Sequence, residues 1–391
     1  MNATRAYFDW NATALLRQEA RDAVLTALEL GGNASSVHGE GRAARALVEK
    51  ARGQVAELVG AEPKNVTFTS GGTEANTIAL TPHLDVAGKK EPRDQLLVAA
   101  TEHPSVRQGG RFPADQVAEV KVVEAGILDL DDLKRALARC ARPLVSIMLA
   151  NNETGVIQPI KEIAEIVHGA NGVLHVDAVQ AAGKIPIDIS ALGADLMTIS
   201  AHKIGGPQGA GALIKTSEIH IAQPMVTAGG QERGVRGGTE NVPAIAGFGA
   251  AAAACTTALC SDASRLSALR DSIDRRLKTL APDVRIFGEG VERLPNTTML
   301  SVPGIKAETA LIALDLDGIA VSTGSACSSG KVAGSPVLAA MGVEPDIARG
   351  AIRLSIGYST TEADVEKLMA ALTKLVSSLS KGQARTKEIA A

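Results

Sequence analysis

The sequence predicts an α/β fold in which a large domain, built on a mostly parallel sheet covered by helices, is followed by a smaller α/β domain. Three observations carry that expectation. With 391 residues, 45% of them hydrophobic, the chain can bury more than one core, and two domains fit that length. Through its first two thirds, short apolar runs alternate with helical patterns, the rhythm of successive βαβ units. Near residue 259 the pattern changes.

In chain order, the expected strands are VTFT at 66–69, QLLVAA at 95–100, LVSIMLA at 144–150, VLHVD at 173–177, DLMTIS at 195–200 and GALI at 211–214. Each is a short run bounded by turn residues. Between them, LDDLKRALARC at 130–140 and KEIAEIVHGA at 161–170 place apolar residues three and four apart. Such helices lay one face on a sheet. Beyond residue 259 the sequence predicts an amphipathic helix near 261–280, a strand at TTMLSV (297–302) and a closing helix. In that last helix Val365, Leu368, Met369, Leu372, Leu375, Val376 and Leu379 share one face. The tail KGQARTKEIAA has no apolar period and is expected to fray.

Charge and cysteine content narrow the function. Forty basic side chains against 43 acidic ones leave a net charge of -3, so no basic face is offered to nucleic acid or to a membrane surface. The Ala-rich run around 250–254 is broken by Gly and Thr and does not read as a membrane span. A small-molecule partner and a cytoplasmic location are expected. Cys140, Cys255, Cys260 and Cys327 form no CxxC pair and no zinc-type cluster with histidine, so no metal is expected. The first three fall in helical patterns and are expected to be packed thiols.

In open α/β sheets, ligands bind at the carboxyl ends of the strands. VTFT runs into SGGTEAN, where Gly71 and Gly72 allow close backbone approach and Thr73 adds a hydroxyl at a helix start. That is a phosphate cradle, although a capped glycine turn is common in its own right. QLLVAA ends in TEH, placing His103 where a ring can stack on a planar ligand. LVSIMLA ends in NNETG, where Asn151 and Asn152 can donate, and VLHVD ends in AVQ with Asp177 and Gln180 close together. A carboxylate closing an apolar strand is costly unless it meets a cation. DLMTIS runs into AHKIGG, where Lys203 is placed to be desolvated and nucleophilic. Taken singly each residue has an ordinary structural reading. Together they supply a phosphate site, a ring stack, an acid for a pyridinium nitrogen and an amine for a Schiff base, which is what pyridoxal phosphate requires. GAG at 209–211 precedes a strand rather than a helix, and GSACSSGKV at 324–332 lacks phosphate-loop spacing.

TSGGTEAN, TEH, NNETG, HVDAVQ, SAHK, RGGTEN and TGSAC, in that order over almost the whole chain, closely resemble the cysteine desulfurases, fold-type I pyridoxal-phosphate enzymes of the class V aminotransferase superfamily. The spacing from Cys327 to Arg353 is similar to that of the long-loop branch, which holds the nitrogenase-type and housekeeping enzymes. The resemblance implies a large cofactor domain over 13–258 and a small domain of 1–12 with 259–391. It implies that Lys203 bonds the cofactor, Asp177 pairs with its ring nitrogen, and His103 stacks and takes part in catalysis. Gln180 and Asn152 bond the ring hydroxyl or substrate, while Gly72, Thr73, Ser200 and His202 hold the phosphate. Thr239 reaches the partner's phosphate in a homodimer, and Arg353, rather than the nearby Arg349, binds the carboxylate of L-cysteine. Cys327 takes sulfur as a persulfide, leaving alanine, and passes it to an acceptor such as an iron–sulfur scaffold. Ser, Gly and Ala around Cys327 suit a loop that swings between two stations. Two departures stand out: Trp10 precedes Asn11, a change expected to bear on substrate access if on anything, and Ala201 replaces a glycine. A selenocysteine lyase or another class V aminotransferase is the alternative. A binding protein that had kept only the fold would not need both Lys203 and Asp177.

Overall fold

A computed structural model describes residues 5–227, 229–323 and 334–389, so Cys327 lies outside the described residues. Seven strands form the central sheet in the spatial order Val66–Thr69, Gly211–Lys215, Leu196–Ser200, Val173–Asp177, Pro143–Met148, Gln95–Ala99 and Val117–Val120. The last five pair in parallel. Gly211–Lys215 instead runs antiparallel to both its neighbours, which departs from the βαβ rhythm. Only residues 201–210 join Ser200 to Gly211, and a parallel crossover needs about a dozen residues or more. The chain therefore turns straight back, and Lys203 sits in that turn.

The sheet is buried on both sides, which is why its strands read as apolar runs. Val145, Ile147, Leu174, Val176, Met197 and Ile199 enter the main core together with the helices Gln18–Leu30 and Gly39–Leu58. On the opposite face Leu144, Val173 and Leu196 pack on Ala75, Ile78 and Ala79 of the helix Gly72–Ala79. Two residues further along that second face, the apolar row is replaced by Ser146, His175 and Thr198, all fully buried. Alternation carries the same face on to Met148, Asp177 and Ser200 at the strand ends.

The smaller unit holds an antiparallel sheet in the order Arg285–Phe287, Thr297–Ser301, Ala351–Ser355, Ser322–Thr323. Leu266, Ile273, Val365, Leu368 and Leu372 close its core. The helix expected near 261–280 is the second half of an unbroken helix, Val242–Leu280. Its first half, rich in Ala and carrying Gly247 and Gly249, packs Phe248 and Cys255 into the main core. A stretch buried on several sides shows no amphipathic period, so the sequence pattern hides it. Its composition would suit a membrane span, but 56% of the apolar window is buried inside the protein. The closing helix, Glu362–Ile389, runs on through residues expected to fray. Among the three described cysteines, Cys255 is buried and Cys140 half-buried, whereas Cys260 is exposed, correcting the expectation of a packed thiol there.

Residues 5–17 run from the small unit to the large one. Ala6–Tyr7 pairs in parallel with Ile319–Ala320; further on, Ala14 N–H donates to His202 O and Arg17 N–H to Gly205 O. Trp10 packs edge-on to Tyr358, ring centroids 5.1 Å apart, and lies so close to Gly357 that no side chain fits there. Its indole N–H donates to Tyr7 O. Trp10 fills a buried position and does not line the cavity described next.

Candidate active site

The carboxyl ends of the central strands open into a cavity of about 330 Å³. Its wall includes Gly72, Thr73, His103, Asn152, Asp177, Gln180, Ser200, His202, Lys203 and Arg353. Among the described residues, every expected site residue is therefore brought together except Thr239. Thr239 is exposed and borders a separate recess with Glu232 and Arg236. Arg349, the alternative to Arg353, is exposed and pairs with Asp346.

Asp177 ends its strand and is buried. Its Oδ1 accepts from Val179 N–H at 3.0 Å and its Oδ2 from Asn76 Nδ2 at 2.9 Å. Behind it, His175 bonds Ser146 Oγ through Nδ1 at 2.8 Å and Thr198 Oγ1 through Nε2 at 3.0 Å. Burial lowers the His175 pKa to about 4 against the opposing pull of Asp177, so that ring is a neutral spacer under the carboxylate. Glu102 lies nearby in full burial; desolvation, reinforced by the Asp177 charge, holds its carboxyl well above the usual range. Its Oε1 accepts from Met148 N–H at 2.6 Å.

The helix Gly72–Ala79 starts at Gly71 without a side-chain cap, leaving its first N–H groups directed at the cavity rim. Gly211 makes this possible: a Cβ there would stand 2.5 Å from the Gly71 carbonyl carbon. On the far side of the rim, His202 Nδ1 lies 3.1 Å from Thr13 Oγ1. Burial, with Lys203 and Lys184 nearby, lowers the His202 pKa to about 4. His103 caps the short helix Pro104–Arg107, and its pKa is lowered by burial and by Lys203, with Asp177 acting in the other direction.

Lys203 Nζ donates to Asn11 O at 2.6 Å and Ala12 O at 2.8 Å. Asn11 is a hub that sequence reasoning passed over. Its carbonyl also accepts from Gln180 Nε2 at 3.0 Å. Its side chain donates to Thr297 Oγ1 at 2.9 Å and accepts from Asn296 Nδ2 at 3.0 Å. Lys184 was missed as well. It is half-buried, and desolvation, assisted by Lys203 and Arg353, lowers its pKa to about 7. Lys184 Nζ donates to Gln180 Oε1 at 2.9 Å. The Asn11 carbonyl can only accept, so Gln180 Nε2 must face it and Oε1 turns to Lys184.

Arg353 donates to Asn152 O at 3.0 Å and to Asp9 Oδ1 at 2.7 Å, while its buried Nε has no partner among the described residues. A guanidinium with a spare N–H on a cavity wall is suited to a carboxylate. Asn151 is structural: its Oδ1 accepts from the Glu153 and Thr154 N–H groups and shapes the turn. Glu153 is buried, accepts from Ser335 Oγ, and is raised to about 7 by burial against the opposing pull of Ser335 and Arg353.

The residue set fits pyridoxal phosphate. A buried carboxylate, an amine, a stackable ring, an uncapped helix start and hydroxyls from Thr73 and Ser200 surround one cavity, and together they answer each group of that cofactor.

Comparison with known proteins agrees with this chemistry. The aminotransferase class-V family matches residues 6–368. A cysteine desulfurase of Cereibacter sphaeroides is 40% identical over 386 residues, covering 96% of each chain. Among solved structures, a NifS-like protein from Rickettsia africae superposes with a TM-score of 0.86 at 37% identity, covering 95% of this chain and 99% of its own. SspA, solved in complex with cysteine, gives a TM-score of 0.75 at 26% identity, over 90% of this chain and 99% of its own. Identity at this level over nearly full length, on a fold whose strand ends gather the expected side chains, settles the kinship: the chain belongs to the aminotransferase class-V family, among its cysteine desulfurases.

Proposed function

We propose that the protein is a pyridoxal-phosphate-dependent cysteine desulfurase that converts L-cysteine to L-alanine and carries the sulfur on Cys327. The observation that carries this reading is the single cavity in which Lys203, Asp177, His103 and Arg353 meet, in a chain whose relatives are named for this activity. Lys203 would hold the cofactor covalently, Asp177 its ring nitrogen, and Gly72, Thr73, Ser200 and His202 its phosphate. Gln180, with its amide oriented by the Asn11 carbonyl, and Asn152 would bond the ring hydroxyl or the substrate. When bound, the cofactor supplies an electron sink next to the substrate's α-carbon, which makes loss of sulfur from the β-carbon feasible. Arg353 holds the substrate carboxylate. The Cys327 thiolate attacks the substrate sulfur; the S–S bond forms as the C–S bond breaks, and the carbon skeleton keeps that electron pair, gains protons and leaves as alanine.

We further propose a homodimer in which Thr239 serves the partner's phosphate site, a role suited to its exposed position outside its own chain's cavity. The acceptor is proposed to be a protein thiol or scaffold of the iron–sulfur kind. The test is anaerobic incubation with L-cysteine and a thiol reductant, with alanine and sulfide both quantified. Wild type is expected to release equal amounts of the two, and Cys327→Ala almost none. Full product release by Cys327→Ala would remove the persulfide step and leave the cavity to other amino substrates.

A further inference from the structure

A continuous line of hydrogen bonds joins Asp177 to the ring of His103. Asn76 Nδ2 donates to Asp177 Oδ2 and to Ser105 Oγ, each at 2.9 Å. Ser105 Oγ lies 2.8 Å from His103 Nδ1, and Ser105 N–H donates to the same nitrogen at 3.2 Å. The direction of each bond follows from chemistry. An ionised carboxylate only accepts, so the NH2 of Asn76 must face Asp177. In that orientation the buried Asn76 Oδ1 has no partner among the described residues; turning the amide over would set that oxygen against the carboxylate. The backbone N–H of Ser105 can only donate, so Nδ1 accepts, and the Ser105 hydroxyl, which accepts from Asn76, directs its own proton to His103. Two donors then converge on Nδ1, which must carry the ring's lone pair.

We propose that Ser105 is a positioning residue that fixes the tautomer of His103, keeping the proton of the neutral ring on Nε2, with Asn76 as the link to Asp177. His103 then meets a bound molecule as a proton donor rather than as a base. The charged groups facing the ring are Asp177, which favours its protonation, and Lys203, which opposes it. The inference deepens the desulfurase reading and rests on it for its catalytic meaning, but the tautomer itself can be observed with neither cofactor nor cysteine present.

The first experiment is ¹⁵N solid-state NMR of histidine-labelled, cofactor-free full-length protein at pH 7.5, with the His103 signals assigned by their loss in His103→Asn. The expected spectrum shows a protonated Nε2 and a bare Nδ1. In Ser105→Ala only the longer backbone donor remains, so the tautomer ratio should fall by about fivefold, the effect of losing one ordinary hydrogen bond; Ser105→Thr, which keeps the hydroxyl, should restore it. In the loaded enzyme, Ser105→Ala should lower kcat for L-cysteine by about tenfold, shift the pH profile and leave KM within about twofold. A protonated Nδ1 in the wild type, or the same ratio in Ser105→Ala, overturns the proposal. So does a changed tautomer with unchanged kcat and pH profile. Absence of desulfurase activity in a wild type that shows the expected tautomer counts instead against the functional reading.

Discussion

Asp177 and Glu153 are both buried carboxyls, one closing its strand and the other in the turn after the neighbouring strand, and their surroundings give them different work. Asp177 takes two N–H donors and faces the cavity, where its carboxylate can accept from a pyridinium N–H. Asp177→Asn should retain the cofactor and yet turn over L-cysteine roughly 100-fold more slowly, or worse; unchanged kcat would take Asp177 out of its role. Glu153 is different, being raised to about 7 by burial from an ordinary value of 4.5. A carboxyl whose pKa is raised on folding binds its proton more tightly in the native state. Its stabilising contribution is therefore complete below pH 4.5 and is lost as pH rises through 7. Glu153→Gln should accordingly gain on wild type between pH 4.5 and pH 8 by on the order of 3 kcal/mol, read from urea unfolding at the two pH values. A gap that stays constant with pH would show that Glu153 does not titrate as its burial requires.

Elements whose residues are buried on one face, or that end in a motif, were legible in the sequence; elements buried all round or fixed by a partner were not. Val66–Thr69 and Val173–Asp177 fall where the apolar runs place them. The edge strand Val117–Val120 has only Val120 fully buried, too weak a pattern to stand out. The first half of Val242–Leu280 was hidden because Ala and Gly there pack in several directions. The antiparallel course of Gly211–Lys215 depended on the length of the preceding turn rather than on the strand's own composition. That strand also carries a testable demand. In Gly211→Ala the new methyl meets the Gly71 backbone, so the turn before the helix Gly72–Ala79 must move. Pyridoxal phosphate affinity, measured by titrating the cofactor-free protein, should drop by roughly tenfold or more, with about 1–3 kcal/mol lost in stability. Wild-type affinity in that variant would mean the turn is not part of the phosphate site.

On the scale of the whole molecule, the site residues that sequence motifs exposed are those at strand ends, whereas Asn11 acquires its role from long-range contacts, and Ser105 and Lys184 theirs by joining a near neighbour to a distant residue, Asn76 and Asn11 respectively. Asn11 lies between the two units, bonded to Asn296 and Thr297 on one side and to Gln180 and Lys203 on the other. Asn11→Ala removes the side-chain bonds and keeps the carbonyl, so a cost of about 2–3 kcal/mol in unfolding free energy is expected, with Lys203 still able to react with the cofactor. A variant as stable as wild type would show that these buried amides contribute nothing net. The carbonyl contacts of Lys203 have a further meaning. Before its amine can bond a carbonyl ligand it must let go of Asn11 O and Ala12 O, two atoms of the segment that threads from one unit to the other. Cofactor occupancy and the tension of that segment are then thermodynamically linked, and linkage is reciprocal: loading the cofactor slackens residues 9–14, and anything that holds them taut against the small sheet weakens loading. Amide exchange across those residues, compared with and without cofactor, is where the molecule would reveal that the anchoring of its N-terminal thread and the readiness of its lysine are one equilibrium.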